Sequence, residues 1–282
     1  MTGKVSRMFY IAAVNALKDA GLTETANLPV ISATGMGEVD GIVEQLSQIH
    51  ESKGEILSPT LVQNTVLNAP ASLMSIGLKK TKPVITVAHS LLSIEAALDY
   101  AFTLFQTTDN NTILLVGGEQ YNPEWPEKLK ELGQGQFSRN LQEQKFQEGS
   151  IALVLTSRDN NSSKFYAKIM AADVFHFIPV SENKSISLAD PFFSKLIREK
   201  YGIKPETNTQ IYIKKYCADR FVSISELSRE LNIDKNRIAY SSSSFSSPLL
   251  EIMESSKNAE KNEYVYFSNE YNDFAIVHWQ NY

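Results

Sequence analysis

The feature that most constrains the fold is an ordered run of strand and helix patterns between Leu57 and Glu119. A β-branched segment at 84–88 leads into His89-Ser90-Leu91-Leu92, and a helical pattern then covers 93–106. A second apolar segment follows at 113–116. Because both apolar segments are continuous rather than alternating, we predict strands covered on both faces, as in a parallel or mixed sheet. This order of strand, sharp junction, helix and strand is typical of α/β enzymes that hold a nucleophile at a helix N-terminus.

The rest of the chain continues the alternation of helix and strand patterns. Helices are predicted over 5–20, 38–53, 58–78, 188–201, 223–231 and 247–253. Strands are predicted over 29–34, 150–155, 165–172, 209–213, 237–240, 263–267 and 274–279. The strands at 150–155 and 165–172 are expected to form a hairpin, and the polar stretch 121–147 a long excursion between core elements. The sequence therefore predicts an α/β protein of two halves, 1–172 and 173–282, within one compact domain.

Composition and charge exclude several classes of function. The 282 residues carry a net charge of −5 and no basic block, which argues against nucleic acid and anionic membranes as partners. No apolar run reaches the roughly 18 residues of a membrane span, and the first residues lack the apolar core of a signal peptide. A single cysteine, Cys217, excludes internal disulfides and fits a reducing cytoplasm. We therefore predict a cytoplasmic protein without metal or cofactor, since its histidines lack metal-ligand spacing: His50, His89, His176 and His278.

Several segments between residues 5 and 170, taken in order, resemble the N-terminal half of β-ketoacyl synthases. They are Ser58-Pro59-Thr60, 64–69, 83–87, 113–119 and 148–155. The chain looks closest to the short, divergent branch found in aryl-polyene and related polyene pathways. The resemblance implies the thiolase fold, in which two related mixed-sheet halves form α/β/α/β/α layers, here with a shortened C-terminal half. It also implies dimerisation through the strand before the nucleophile, which places Val84, Ile85 and Val87 at an interface.

The chain departs from this family where the chemistry should be. Active ketosynthases carry a cysteine at the strand-to-helix junction, where the helix N-terminus lowers the thiol pKa and backbone N–H groups stabilise the oxyanion. The corresponding position here falls among His89, Ser90, Leu91 and Leu92, none of which is a thiol. The family's His-Gly-Thr-Gly-Thr segment is missing, and Ser268-Asn269-Glu270 replaces its glycine-rich turn. The resemblance therefore implies a ketosynthase-like chain without catalytic residues.

Such chains have a precedent in the family. Chain-length factors resemble a ketosynthase, lack its cysteine, and form a heterodimer with an active ketosynthase that works on acyl chains bound to a carrier protein. Their helix after the Ser-Pro segment contributes side chains to the partner's acyl tunnel and limits product length. By this resemblance, the residues expected at the tunnel or interface are Leu61, Gln63, Val66, Leu67, Pro70 and Met74.

Two other functions stay open at this point. Ser90 with His89 would give a stand-alone thioesterase or acyltransferase on the same fold, although adjacent residues rarely form a nucleophile–base pair. A homodimeric scaffold that recruits carrier proteins is the second alternative. The plain structural interpretation makes His89 a junction residue bonded to backbone and Cys217 a buried apolar side chain.

Overall fold

The structure is a computed structural model, and its described part forms two compact units that divide between Ser163 and Lys164. It describes residues 3–24, 26–54, 59–131, 148–157, 165–176, 191–203, 207–214, 224–241, 247–257, 262–270 and 273–281.

The first unit holds a four-stranded mixed sheet in the order β2-β1-β3-β4. Strands β1, β2 and β3 run parallel, and β4 is antiparallel to β3. The elements are α1 Lys4–Asp19, β1 Val30–Ala33, α2 Val39–Glu51, α3 Pro59–Thr65, α4 Ala69–Gly77, β2 Val84–Val87, α5 Ser93–Thr107, β3 Thr112–Glu119, α6 Trp125–Glu131 and β4 Gly149–Thr156.

The core of this unit surrounds β3. Helices α1 and α4 contribute Phe9, Leu17 and Met74 to a buried cluster that includes Leu114 and Val116 of β3. Helix α5 contacts β1, β2 and β3. Strand β3 is buried from its second residue to its last, as its continuous apolar run predicts. Strand β2 is only half-buried, because it lies at the edge of the sheet.

The second unit holds a five-stranded mixed sheet in the order β5-β9-β8-β6-β7. Strands β7, β6 and β8 are parallel, whereas β9 is antiparallel to β8 and β5 to β9. The elements are β5 Ala167–His176, α7 Pro191–Tyr201, β6 Thr209–Lys214, α8 Ile224–Leu231, a 3₁₀ turn Lys235–Arg237, β7 Ile238–Ser241, α9 Ser247–Ser255, β8 Glu263–Glu270 and β9 Asp273–Asn281. The predicted closing hairpin is confirmed by the pairing of β8 with β9.

The two sheets share one topology. In each, a central strand (β1 or β6) has one parallel neighbour at the edge (β2 or β7) and another parallel neighbour inside (β3 or β8). An antiparallel strand (β4 or β9) then follows the inner neighbour. Strand β5 is the one strand of the second sheet without a described counterpart in the first. The prediction of an α/β fold built from two related mixed sheets is confirmed.

The single helix predicted over 58–78 is wrong. The structure has α3 and α4 instead, separated by Val66–Asn68, with the Ala69 amide donating to the Val66 carbonyl at 2.9 Å. Pro70 lies in the first turn of α4. Proline lacks an N–H and its ring clashes with the preceding turn, so it is tolerated where a helix begins and not inside one.

The hairpin predicted between 150–155 and 165–172 is also wrong. Strand β4 pairs with β3 along its whole length, whereas β5 pairs with β9 in the other sheet. A polar turn signal between two strands does not distinguish a hairpin from a connection between sheets, and the residues of that signal, 159–163, lie outside the described part. The predicted boundary between the halves at 172 and 173 falls inside β5, which belongs to the second unit. That the halves form one domain stays a prediction.

Candidate functional site

The junction between β2 and α5, residues 88–92, is a tight turn closed by one hydroxyl. Ser93 Oγ accepts a hydrogen bond from the His89 amide at 2.8 Å and donates to the Ser90 carbonyl at 2.7 Å. Ser90 itself has a left-handed backbone, with φ 47°. A non-glycine residue in this region is uncommon and marks a backbone held in place by its surroundings. The sharp strand-to-helix junction predicted from the sequence is present.

Apolar side chains occupy the end of this turn. Leu91 and Leu92 are 6% and 0% exposed, so neither can present a reactive group to a substrate. His89 and Ser90 are half-buried. The Leu92 amide bonds to the His89 carbonyl at 2.9 Å, which continues the turn into α5. The side chains of the junction that can act as nucleophiles are therefore those of His89 and Ser90.

The loop after β1 lies directly against Ser90. A Cβ atom placed on Gly35 would lie 2.5 Å from the Ser90 carbonyl oxygen and 3.0 Å from its Cα. Both neighbours are backbone atoms, which cannot swing aside as a side chain does. Position 35 therefore requires glycine while the junction keeps this shape.

A buried carboxyl group organises the same loop. Oε1 of Glu119, at the end of β3, accepts hydrogen bonds from Thr34 Oγ1 at 2.9 Å, from the Met36 amide at 3.3 Å and from the Gly35 amide. The Gly37 amide in turn donates to Thr34 Oγ1 at 2.9 Å. The carboxyl thus joins the ends of β1 and β3, the two parallel strands beside the junction.

The protonation state of Glu119 follows from its burial. Desolvation raises the pKa of its carboxyl from 4.5 to about 8, against the opposing effect of the donors on Gly35, Thr34 and Met36. Glu119 is 1% exposed, and at neutral pH it is largely a neutral acid whose acceptor oxygen fixes the loop. Its bonds hold the backbone beside Ser90, and this is a positioning role.

Thr34, Gly35 and Glu119 were not among the candidates from the sequence. The sequence offered one signal. Gly35 directly follows the predicted strand 29–34, and Glu119 lies just after the predicted strand 113–116. The carboxyl ends of neighbouring parallel strands meet at one edge of a sheet, where sites commonly form. Without knowing that β1 and β3 are neighbours, the sequence could not bring these residues together.

The residues predicted to line an acyl tunnel divide into two groups. Gln63 is exposed, and Val66 and Leu67 are 48% and 40% exposed on the turn after α3. Val62, which the sequence analysis did not select, is exposed beside them at 41%. We call Val62, Val66 and Leu67 the α3 apolar surface. Pro70 is buried and Met74 packs in the buried cluster that α1 and α4 form with β3, so neither belongs to that surface. The Leu61 side chain lies outside the described part.

The strand predicted to form a dimer interface is the edge strand β2. Val84, Ile85 and Val87 are all half-buried, and β1 is the one strand of the described residues that pairs with β2. Val84 also packs against the buried cluster that α1 and α4 form with β3. The outer edge of β2 is consequently available for contact in the first unit taken by itself.

The other titratable candidates lie far apart in the chain. His50 is in the last turn of α2, and His176 is an exposed residue at the end of β5 in contact with Asp273. His278 is buried on β9, where desolvation lowers its pKa below the ordinary value. Cys217 lies outside the described part. Among the described residues, no three potential ligands come together to hold a metal, and no helix is long and apolar enough to cross a membrane.

Comparison with known proteins gives a family match and several similar folds. Residues 2–171 match the family described as "Beta-ketoacyl synthase, N-terminal domain". A β-ketoacyl synthase from Burkholderia phymatum is similar with a TM-score of 0.73 and 14% identity, over 99% of this chain and 83% of that chain. The ishigamide ketosynthase/chain length factor is similar with a TM-score of 0.72 and 13% identity, over 99% and 80%.

A third similar structure is a type II PKS acyl-carrier protein in complex with its ketosynthase, with a TM-score of 0.67, 14% identity and coverage of 99% and 84%. At these identities the likeness establishes the fold. No curated protein matches the sequence.

Proposed function

Because the chain belongs to the β-ketoacyl synthase family, through its N-terminal domain, we propose that it is a non-catalytic subunit of the chain-length-factor type. It pairs with an active β-ketoacyl synthase and shapes the acyl tunnel of that partner. The substrates of the complex are polyketide, polyene or fatty-acyl chains carried by an acyl carrier protein, and the complex works in the cytoplasm.

The observation that carries this proposal is the junction between β2 and α5. Its backbone keeps the strand-turn-helix form that positions a nucleophile, yet none of the residues 89–92 is a thiol, and Leu91 and Leu92 are buried. Ser93 and Glu119 hold the backbone in this form through hydrogen bonds to backbone groups of Ser90 and Gly35. A family member with this geometry and no thiol fits a role in assembly better than a role in condensation.

Two surfaces of the first unit support the choice of a protein partner. The edge strand β2 presents the half-buried side chains of Ile85 and Val87. The α3 apolar surface adds Val62, Val66 and Leu67, each at least 40% exposed. Exposed apolar side chains grouped in this way mark interaction sites, and a stable interface buries about 1,200–2,000 Å² in total.

Co-expression with a β-ketoacyl synthase that retains its catalytic cysteine tests the proposal. We expect the two chains to co-purify and to elute from gel filtration at the size of a heterodimer. We also expect condensation activity only when both chains are present. A chain that purifies alone as a stable monomer and does not bind the co-expressed ketosynthase would contradict the proposal.

One observation favours the second candidate, a stand-alone acyltransferase or thioesterase. Ser90 has a left-handed backbone at a strand-to-helix turn, a geometry that presents the nucleophilic serine in α/β-hydrolases. Incubation of the purified chain with acyl thioesters, followed by mass spectrometry, would then yield an acyl adduct on Ser90. The double variant His89→Ala, Ser90→Ala would abolish any hydrolysis, and activity that persists in it would exclude this function.

A further inference from the structure

The loop between β1 and α2, residues 34–38, is bonded to several elements of the first unit. Glu119 at the end of β3 accepts hydrogen bonds from Thr34 Oγ1 and from the Gly35 amide. The Thr34 amide donates to the carbonyl of Val87, the last residue of β2, at 3.3 Å. Gly35 also lies against the backbone of the junction between β2 and α5. The first half of the loop is therefore fixed to β2, to β3 and to the junction.

The last residue of the loop is bonded to helix α1. The Glu38 carboxyl group, 3% exposed, accepts hydrogen bonds from the Val5 amide at 3.0 Å, from the Ser6 amide at 2.8 Å and from the Ser6 hydroxyl at 2.5 Å. These amides belong to the first turn of α1, where backbone N–H groups have no partner inside the helix. Movement of the loop would leave buried donors without acceptors, at a cost of about 1–3 kcal/mol each. The loop is consequently held at both ends.

Leu67, in the turn after α3, lies against the middle of this loop. A Cβ atom added to Gly37 would lie 3.5 Å from Leu67 Cδ2 and 3.6 Å from Leu67 Cα, which is van der Waals contact. Gly37 has φ 68°, a left-handed backbone that glycine adopts without strain, and its amide donates to Thr34 Oγ1 at 2.9 Å. Because Thr34 also bonds to Glu119, a short chain of contacts leads from the buried carboxyl group to Leu67.

Helix α3 depends on such contacts for its position. It has seven residues, and an isolated helix of that length is unstable in water. Local hydrogen bonds shape the turn after it: Thr65 Oγ1 donates to the Val62 carbonyl at 2.8 Å, and the Ala69 amide donates to the Val66 carbonyl at 2.9 Å. These bonds fix the shape of the turn and not its place on the unit. Packing against α2, against α4 and against the loop therefore decides where the α3 apolar surface lies.

We propose that the loop 34–38 is a rigid support that sets the position of the α3 apolar surface against the acyl chain, and that it acts through Leu67. The inference rests on the proposed function and deepens it. Leu67 becomes a residue that determines the length of the acyl chain, and Gly37 and Glu119 become positioning residues. The junction between β2 and α5 then has a role in a chain without a thiol, because its backbone is one of the surfaces that hold the loop.

A pair of Glu119 variants tests the support, with the products of the ketosynthase complex measured by mass spectrometry. Glu119→Leu leaves the buried donors of Thr34 and Gly35 without an acceptor, so the loop should shift. An unsupported surface yields to a growing chain, and we expect the main product to become longer by at least one extension unit. Glu119→Gln keeps an acceptor oxygen and should leave the main product as in the wild type.

A pair of glycine variants gives a second readout that leaves the buried carboxyl group intact. Gly37→Asn adds a side chain between the loop and Leu67, and asparagine tolerates the left-handed backbone. We expect it to displace the α3 apolar surface toward the acyl chain and to shorten the main product by at least one extension unit. Gly21→Asn is the matched control, because Gly21 has φ 69° and no atom within 4 Å of an added Cβ. An equal change in both variants would overturn the inference.

A double variant shows whether Glu119 acts through Leu67. Leu67→Ala removes the side chain that meets the loop, so the loss of the carboxyl group should then have no further effect on product length. The double variant Glu119→Leu, Leu67→Ala should therefore make the same products as Leu67→Ala alone. Effects of the two substitutions that simply add would mean that Glu119 does not act through Leu67, which overturns the inference.

The outcomes separate this inference from the proposed function. Unchanged products in Glu119→Leu and in Gly37→Asn, in a complex whose products respond to Val66→Trp, overturn the support and leave the proposed function standing. Products that respond to none of these variants, or a ketosynthase that does not bind the chain, overturn the proposed function and the inference with it. If circular dichroism shows that Glu119→Leu does not fold, the comparison of Gly37→Asn with Gly21→Asn decides.

Discussion

At the residue scale, the junction depends on two residues that lie outside it in the sequence, Gly35 and Glu119. Gly35 allows the loop after β1 to touch the backbone of Ser90, and Glu119 fixes that loop by accepting hydrogen bonds from Thr34, Gly35 and Met36. Ser93 closes the turn from the other side. The shape of a nucleophile site is thus maintained by positioning residues, whether or not a nucleophile is present.

Substitution of Gly35 should show how tightly the junction is packed. In Gly35→Ala, the new methyl group meets the Ser90 carbonyl at 2.5 Å, and we expect a loss of about 2–4 kcal/mol in the free energy of unfolding. Urea denaturation measures this loss. Gly41→Ala is the matched control, because Gly41 is inside α2 with no atom near its added Cβ. The control should be neutral or stabilising by about 0.5–1 kcal/mol, and equal losses in both variants would contradict the close contact.

The buried carboxyl of Glu119 predicts a pH dependence of stability. Its pKa is about 8 in the folded chain and near 4.5 when unfolded, so between these values the folded state holds a proton that the unfolded state has lost. The free energy of unfolding should therefore fall as pH rises from about 4.5 to about 8, by at most about 1.4 kcal/mol per pH unit. Chemical denaturation of the wild type and of Glu119→Gln across this range measures the effect. The Gln variant should show a flatter profile, and parallel profiles would mean that Glu119 does not titrate in this window.

At the element scale, the edge strand β2 and the turn after α3 present the surfaces that we assign to the partner. Both belong to the first unit, and both expose apolar side chains beside well-packed elements. The core beneath them includes Met74, a residue of α4 that the sequence analysis placed at a tunnel or interface. Local sequence gives the helix, but the packing of α1 against α4 decides which side of it is exposed.

The variant Ile85→Asp should prevent heterodimerisation. It places an unpaired charge on the half-buried edge strand, where an interface would remove it from water. Met170→Asp is the control, because Met170 is 46% exposed on β5 in the other unit and its charge stays in water. Gel filtration of each variant co-expressed with the ketosynthase measures the effect. A heterodimer retained by the Ile85 variant would contradict the placement of the interface on β2.

The α3 apolar surface should set product length. Val66→Trp enlarges a side chain that we place toward the partner's tunnel, so the complex should make shorter acyl chains. Val66 is 48% exposed, and the free energy of unfolding should change by no more than about 0.5 kcal/mol. Ile76→Trp, at a residue of α4 that is 72% exposed, is the control and should leave product length unchanged. Mass spectrometry of the products tests this, and an unaltered length in the Val66 variant would remove this residue from the tunnel wall.

At the scale of the whole molecule, the two units repeat one sheet topology, and the described residues of the first unit show no counterpart of β5. A chain with exposed apolar side chains on α3 and on the turn after it gains stability when a partner covers them. The melting temperature should therefore rise with the concentration of the ketosynthase. At a hundredfold excess over the dissociation constant, binding adds about 2.7 kcal/mol. Differential scanning calorimetry measures the shift, which the Ile85→Asp chain should not show.

Apart from the break between α3 and α4 and the short helix α6, the sequence by itself determined the order of helices and strands, and it also determined the buried β3, the sharp junction and the missing thiol. These follow from local patterns: continuous apolar runs, helical spacing, and which residue types are present at 89–92. The break between α3 and α4 also has a local cause in Pro70, which is a signal that the sequence alone contains.

Only the tertiary structure decided which strands are neighbours and which side chains meet. Strand β5 joins β9 rather than β4, and Glu119 reaches Gly35 because β1 and β3 lie side by side. Contacts between residues so distant in the chain depend on sheet order and register, and a strand's own sequence specifies neither. For the same reason, only the tertiary structure shows that β2 and β4 are the outer strands of the first sheet among the described residues.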